Sequence, residues 1–123
     1  MKSNFEVGKL DALEIARTVV SALEEKKGED ILLLDLKNVA PFTDYFVICS
    51  GTSDRMLNAL MDTVLETVSK KYRMKSKPEG EPREGWMLAD LGDVVVHVFS
   101  SEQRAYYQLE QLWAEGKVLL HLQ

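Results

Sequence analysis

The chain has 123 residues, of which 46% are hydrophobic and 28% are charged, and its formal net charge is −5. This length and composition fit one globular domain with one core, so we expect a single domain over residues 1–123. The negative charge is opposite to that of most domains that bind nucleic acid, but it permits docking on a basic protein.

Cysteine and histidine are too scarce for a disulfide framework or a metal centre. Cys49 is the only cysteine, and its apolar surroundings favour a buried small side chain over a reactive thiol. His97 and His121 are far apart and lack a third ligand at metal spacing, so we predict no metal site. The sequence MKSNFEVGKL predicts no signal peptide, and no segment has the ~20 apolar residues of a membrane span. We therefore expect a cytoplasmic protein.

The first third of the chain predicts one helix and two strands. Apolar residues such as Leu13, Ala16 and Val20 recur at three- and four-residue spacing, which predicts a helix over residues 9–27. The continuous apolar run ILLLDL at 31–36 is typical of a strand buried on both faces. The run YFVICS at 45–50 predicts a second strand, which can pair with the first in antiparallel fashion.

A second helix and a polar loop follow. The turn Gly51-Thr52-Ser53 leads into an apolar helical stripe that extends to about residue 72, with Ser53 as the N-cap. A glycine-containing turn at a helix N-terminus can also bind phosphate, although a plain turn with a cap is favoured because the spacing and lysine of a P-loop are missing. Residues 73–85 predict a locally basic loop, with a short strand possible at 74–77.

The C-terminal third predicts a hairpin and a third helix. Two β-type runs, 86–90 and 93–100, flank the short connection Leu91-Gly92. Ser100 opens the helix, whose apolar side comprises Ala105, Tyr106, Leu109, Leu112 and Trp113. The tail at 117–123 adds a strand or packs as an arm. The element order indicates an α/β fold of the two-layer α+β type, with helices packed on a mixed β-sheet.

Several residues permit a catalytic interpretation alongside a structural one. His97 can act as a catalytic base. The group that orients it would then be Asp35, Asp90 or Asp93, and the nucleophile that it activates would be Ser50, Ser53 or Cys49. A structural histidine, or one at a partner surface, is favoured. Nucleotidyl transfer requires converging carboxylates after the Gly-Ser turn, but Asp54 and Asp62 lie on a helix at the wrong spacing. Arg104 is interpreted as a solvated charge or a capping contact.

Three sequence blocks carry a resemblance to a known family. They are EG at 79–80, WMLADLGDVVVHVF at 86–99 and EQRAYYQLEQLW at 102–113. Upstream, LDL at 34–36, TDYFVI at 43–48 and GTS at 51–53 extend the same pattern. The chain resembles the ribosomal silencing factor family, also called Iojap-like, over roughly residues 10–113, which leaves 114–123 as a C-terminal tail.

The resemblance implies a fold, a partner and a surface. The fold is expected to be like that of nucleotidyltransferases without their catalytic carboxylates, with no catalysis and no cofactor. Members bind ribosomal protein uL14 of the large subunit and sterically block joining of the small subunit, which represses translation. Organellar relatives act in large-subunit assembly. The partner surface carried over to this chain comprises Trp86, Asp90, Asp93, His97 and Phe99, with Arg104 and Tyr107 nearby.

Three alternatives remain open at this point. A divergent nucleotidyltransferase-like enzyme, or a large-subunit assembly factor, fits the same sequence. The third alternative is a direct RNA binder that uses the cations Lys70, Lys71, Arg73, Lys75 and Lys77; otherwise no dedicated nucleic-acid site is expected, only incidental contact with rRNA. A weak homodimer is also expected in the absence of the ribosome, because an apolar partner surface can pair with itself.

Overall fold

The computed structural model describes residues 11–123. In chain order these residues form α1 (Ala12–Glu25), β1 (Glu29–Asp35), β2 (Tyr45–Gly51), α2 (Asp54–Tyr72), a 3-10 turn (Pro82–Glu84), β3 (Trp86–Asp90), β4 (Val94–Ser100), α3 (Ser101–Tyr107), α4 (Leu109–Leu112) and β5 (Lys117–Leu122). The helix predicted over 9–27 is therefore shorter at its C-terminal end, and residues 9 and 10 lie outside the described part of the chain.

The strands form one five-stranded mixed sheet in the order β3-β4-β2-β1-β5. β1 pairs in antiparallel fashion with both β2 and β5, and β3 does so with β4. β2 and β4 run parallel, which requires the long connection that contains α2. The predicted mixed sheet and the antiparallel pairing of the first two strands are confirmed, and the C-terminal tail supplies an edge strand.

Side-chain caps fix the N-termini of three helices. Asp11, Ser53 and Ser100 each accept a hydrogen bond from a backbone N–H two or three residues ahead, at the start of α1, α2 and α3 respectively. Such caps satisfy backbone donors that the helix itself leaves unpaired. The local sequence therefore determines where each helix begins, and the predicted caps at Ser53 and Ser100 are confirmed.

The sheet has apolar side chains on both faces, as the continuous apolar runs predict. Helices α1 and α2 cover one face, where Val47 and Cys49 of β2 contribute to the core. The other face carries Phe46 and Ile48 of the same strand, because successive strand residues point to opposite sides. Among residues 11–123, the short helices α3 and α4 and the loop before β2 pack on this second face, where Trp86, Leu88 and Trp113 stay only partly buried.

The predicted third helix is interrupted, and most residues on its predicted apolar side are exposed instead of buried. Gln108 adopts a left-handed conformation, with φ of 48°, between α3 and α4. The change in direction leaves Tyr106 77% exposed and Leu112 72% exposed, while Leu109 is buried. The core role predicted for Tyr106 is therefore incorrect. Arg104 takes the buried position on α3.

Two smaller predictions also need correction. The hairpin connection has three residues, Leu91 to Asp93, because β4 begins at Val94 and the N–H of Leu91 donates to the carbonyl of Val94 at 2.8 Å. Within residues 73–85 no strand forms at 74–77; instead Glu79 makes an isolated antiparallel bridge with Leu88 of β3. This bridge brings the polar loop against the edge of the sheet.

Candidate protein-docking face

Six aromatic rings lie on the sheet face opposite α1 and α2. We call this surface the aromatic face; its residues are Phe46, Trp86, His97, Phe99, Tyr107 and Trp113. The ring of Trp86 stacks on Phe99 with centroids 4.9 Å apart and touches Tyr107 at 4.7 Å. Trp86 is half-buried and Tyr107 is exposed, whereas Phe99 is fully buried. The buried ring thus supports the two rings that solvent reaches.

His97 is the polar group at the centre of this face. It lies on β4 between Val96 and Val98 and is only 4% exposed. The indole N–H of Trp86 donates to its Nδ1 at 3.1 Å, and its ring meets Phe46 edge-on at 4.6 Å. Burial lowers the pKa of His97 to about 4, since removing the ring from water disfavours its charged form. The imidazole is therefore neutral at physiological pH.

The hydrogen bond from Trp86 also fixes the tautomer of His97. Nδ1 accepts, so in the neutral ring the proton resides on Nε2. This Nε2–H is buried and has no partner among the described residues. An unpartnered buried donor is costly, which makes His97 an unusual residue in an otherwise apolar setting.

A second exposed aromatic group borders the face on the side of β1. Phe42, in the loop before β2, is 56% exposed. Its ring lies 5.7 Å from that of Trp113 and 6.0 Å from that of Phe46. The sequence interpretation missed the exposed Phe42 and the buried Phe46 as members of this aromatic cluster. The alternation along β2, which places Phe46 opposite Val47, is the signal from which Phe46 could have been found.

The two hairpin aspartates lie at one end of the face and are both exposed. The carboxylate of Asp90 accepts from the N–H of Gly92 at 2.9 Å, as turn aspartates commonly do. The backbone carbonyl of Asp93 accepts from the N–H groups of Asp44 and Tyr45, each at 3.0 Å. Asp93 therefore links the hairpin to the start of β2 through its backbone, and within residues 11–123 its exposed carboxylate forms no ion pair.

A cleft of about 480 Å³ opens beside Trp86. Its lining residues are Glu79, Gly80, Glu84, Trp86, Leu88 and Tyr107. Reciprocal backbone hydrogen bonds of 2.8 and 2.9 Å between Glu79 and Leu88 hold the loop against β3. The cleft therefore has aromatic walls and an acidic rim. The two glutamates were not among the predicted site residues.

Arg104 lies on α3, beside the start of β1 and the end of β2, in a buried polar network. Its guanidinium donates to the carbonyl of Asp30 at 2.6 Å, to Oγ of Ser50 at 2.9 Å and to the carboxylate of Glu110 at 3.1 Å. The side chain is only 7% exposed. Arg104 therefore connects α3 with the start of β1 and the end of β2. It is neither a solvated charge nor a helix cap.

The structure does not bring the possible catalytic residues together. His97 bonds Trp86 and none of the predicted orienting or nucleophilic groups within residues 11–123. Cys49 lies on the opposite face of the sheet, and burial raises the pKa of its thiol to about 12. The predicted burial of Cys49 is confirmed, and its side chain packs in the hydrophobic core. Asp35 pairs with Lys37 at 3.4 Å instead of with histidine.

The turn before α2 and the metal-ligating side chains were the other candidate sites. Ser53 caps α2 by accepting from the N–H of Met56 at 3.1 Å, as predicted. Across residues 11–123, no three side chains of the metal-ligating types cluster in a way that can hold an ion. Over the same residues, the helices are too short or too polar to cross a lipid bilayer.

The fold and this face define a small α/β protein whose most distinctive surface is aromatic and acid-rimmed. The family described as "Ribosomal silencing factor during starvation" matches residues 9–122. The ribosomal silencing factor RsfS of Bacillus subtilis is 40% identical over 102 residues, which cover 83% of this chain and 86% of that relative. The chain belongs to the ribosomal silencing factor family.

Other similar proteins extend the same comparison. A crystal structure of a Chromobacterium violaceum protein superposes with a TM-score of 0.80 at 34% identity, covering 85% of this chain and 88% of that one. The mouse protein called mitochondrial assembly of ribosomal large subunit protein 1 is 35% identical over 99 residues, which are 77% of this chain and 43% of that protein. The names of these relatives connect them with ribosome silencing and with large-subunit assembly. The predicted family and fold class are thus confirmed.

Proposed function

We propose that this protein binds ribosomal protein uL14 on the large ribosomal subunit through the aromatic face, and that it blocks joining of the small subunit by steric exclusion. The observation that carries the proposal is the half-open cluster around Trp86. Exposed aromatic rings backed by buried ones, with carboxylates at the rim, are typical of protein-binding hot spots. The protein acts in the cytoplasm and represses translation without catalysis.

The seven predicted site residues have different roles in this proposal. Trp86, Tyr107, Asp90 and Asp93 have exposed surface and make the contact. Phe99, His97 and Arg104 are buried; Phe99 and His97 support the ring of Trp86, whereas Arg104 stabilises the fold through Asp30 and Ser50. The acidic rim favours a basic protein surface, because complementary charge raises the rate of association and excludes wrong partners.

The binding experiment compares Trp86→Ala with Val118→Ala. Val118 is an exposed apolar residue on β5, at the other edge of the sheet, so it controls for the loss of an exposed side chain. We expect Trp86→Ala to raise the Kd for isolated large subunits about 30-fold or more, which corresponds to a hot-spot loss of at least ~2 kcal/mol. Val118→Ala should bind like the wild type. Equal affinity for all three proteins would remove the aromatic face from the proposal.

Subunit joining provides the functional test. Wild-type protein bound to large subunits should lower the yield of joined ribosomes when small subunits are added, and Trp86→Ala should not. Large-subunit binding without any effect on joining would favour an assembly role, in line with the name of the mouse relative. Absence of binding to the large subunit would contradict the whole proposal.

The free protein is proposed to form a weak homodimer through the same aromatic face. Trp86, Tyr107 and Phe42 leave apolar surface exposed, and a two-fold arrangement lets one such patch pair with its copy. Sedimentation velocity at several concentrations should give a mass that rises with concentration, and Trp86→Ala should shift the equilibrium towards monomer. A mass that stays monomeric at high concentration would contradict the dimer.

Direct RNA binding is the competing interpretation of the basic segment after α2. Neutralising Lys71 and Lys75 would then reduce the dependence of large-subunit affinity on salt, because fewer counterions would be released. Under the proposed docking on uL14, that dependence stays as it is in the wild type.

A further inference from the structure

We propose that the cleft lined by Trp86, Tyr107, Glu79 and Glu84 binds one arginine or lysine side chain of the docked protein, with the two glutamates as its counter-charges. The inference rests on the proposed function, because the bound side chain belongs to the protein surface on which the aromatic face docks. It adds to that function two acidic residues and a defined ligand chemistry.

The walls of the cleft suit a cation. The rings of Trp86 and Tyr107 contact each other, with centroids 4.7 Å apart, and together with Leu88 they form the apolar wall of the cleft. The face of an aromatic ring attracts a cation electrostatically, and tryptophan does so most strongly. The methylene groups of lysine or arginine can pack on the same apolar walls while the charged end reaches the rim. The volume of about 480 Å³ is ample for one such side chain.

The rim of the cleft carries two negative charges and no positive one. Its lining includes Glu79 and Glu84 but neither lysine nor arginine. Arg83, the nearest cation in sequence, pairs at 3.1 Å with Glu81 instead. Within residues 11–123, neither Glu79 nor Glu84 forms an ion pair. The Glu79 carboxylate and the second oxygen of Glu84 are therefore available to a partner, and both side chains repel the phosphates of RNA.

The cleft is fixed before any partner arrives. The carboxylate of Glu84 accepts from the N–H of Glu81 at 3.1 Å, and Glu79 is held by its backbone bonds to Leu88. The indole of Trp86 is anchored on His97. A site whose groups are already ordered loses little conformational entropy when it binds. This fixed arrangement supports specific recognition of one side chain over diffuse attraction to a basic surface.

The first test compares two double variants that change the net charge equally. Glu79→Gln with Glu84→Gln neutralises the cleft, whereas Glu24→Gln with Glu25→Gln neutralises two exposed acids at the end of α1. We expect the cleft variant to raise the Kd for isolated large subunits about 10-fold or more at low salt, and to flatten the salt dependence. The α1 variant should stay within about twofold of the wild type. Equal effects of the two variants would overturn the inference.

The second test needs no ribosome, so its failure is distinct from that of the proposed function. The indole ¹⁵N–H signals of Trp86 and Trp113 are followed while N-acetyl-arginine amide is added, with the neutral isostere N-acetyl-citrulline amide as the control ligand. The Trp86→Phe variant assigns the two signals. We expect the Trp86 signal alone to shift and saturate with a Kd on the order of 10–100 mM for arginine. The shift should vanish in the Glu79→Gln, Glu84→Gln protein.

An equal shift with arginine and citrulline, or no shift at Trp86, would overturn the inference even if large-subunit binding is normal. Conversely, the protein could show an arginine-specific shift but fail to bind large subunits. That result would support the binding site in the cleft and contradict the proposed function.

Discussion

The indole N–H of Trp86 donates to Nδ1 of His97 across a distance of 3.1 Å, and this bond couples an exposed ring to a buried base. The bond forms only while Nδ1 carries no proton, so the orientation of Trp86 depends on the neutral state of His97. Because burial keeps the pKa of His97 near 4, this arrangement is stable at neutral pH and fails in acid.

We expect the free energy of unfolding to fall as the pH is lowered from 7 to 5. The folded-state pKa of His97 is about 4 against an ordinary 6.5, so the unfolded chain binds the proton first and stability rises with pH in this window. The contribution lost between pH 7 and pH 5 is about 2 kcal/mol. Urea unfolding at several pH values measures it.

The matched variant is His97→Gln, which keeps an acceptor for Trp86 but has no titrating group. The difference in unfolding free energy between wild type and variant cancels the contributions of the carboxylates and of His121. That difference should decrease by about 2 kcal/mol from pH 7 to pH 5. A difference independent of pH would mean that His97 titrates normally and that its ring is accessible to water.

Arg104→Met should destabilise the protein without weakening the docking contact. The substitution leaves the carbonyl of Asp30, Oγ of Ser50 and the carboxylate of Glu110 without their donor. Removing one partner from such a buried network costs about 2–4 kcal/mol. Arg83→Ala is the control, since its exposed ion pair with Glu81 contributes at most about 1 kcal/mol. Thermal unfolding of the three proteins provides the comparison.

Large-subunit binding by Arg104→Met then separates the two roles proposed for this residue. At a temperature where the variant is folded, its affinity should equal that of the wild type, because the guanidinium is buried against Asp30 and Ser50 and a partner cannot reach it. A large loss of affinity in the folded variant would make Arg104 a contact residue.

The local sequence predicted most elements because their signals are local. The cap at Ser53, the apolar run of β1 and the alternation along β4 each depend on residues close in the chain. The burial of Arg104 depends instead on Asp30 and Ser50, more than 50 residues away. The break at Gln108 is likewise not signalled, because glutamine rarely adopts positive φ.

The site was only partly predictable for the same reason. Family resemblance pointed to Trp86 and Tyr107, but the ring contact between them forms only when α3 folds back over β3. Glu79 is brought next to these rings by its antiparallel β-bridge to Leu88, which no sequence pattern predicted. From sequence alone, a charged residue in a loop is predicted to be solvated. Only the fold shows that Glu79 lies beside an aromatic wall.

The loop that carries Glu79 provides the last prediction, which compares two glycines with positive φ. Gly80 has φ of 86° and Gly92 has φ of 94°, so alanine is strained at both positions. A Cβ at Gly92 meets open space, whereas a Cβ at Gly80 collides with the backbone carbonyl of Trp86. Gly92→Ala should therefore cost about 1 kcal/mol, and Gly80→Ala should additionally displace the loop from β3.

Amide hydrogen exchange measures that displacement directly. The N–H groups of Glu79 and Leu88 are protected by their reciprocal bonds, and Gly80→Ala should raise both exchange rates about 10-fold or more, while Gly92→Ala leaves them unchanged. Because the loop positions one acid of the cleft, Gly80→Ala should also weaken large-subunit binding. Unchanged protection in Gly80→Ala would mean that the loop accommodates a methyl group, and that the cleft is less rigid than its hydrogen bonds indicate.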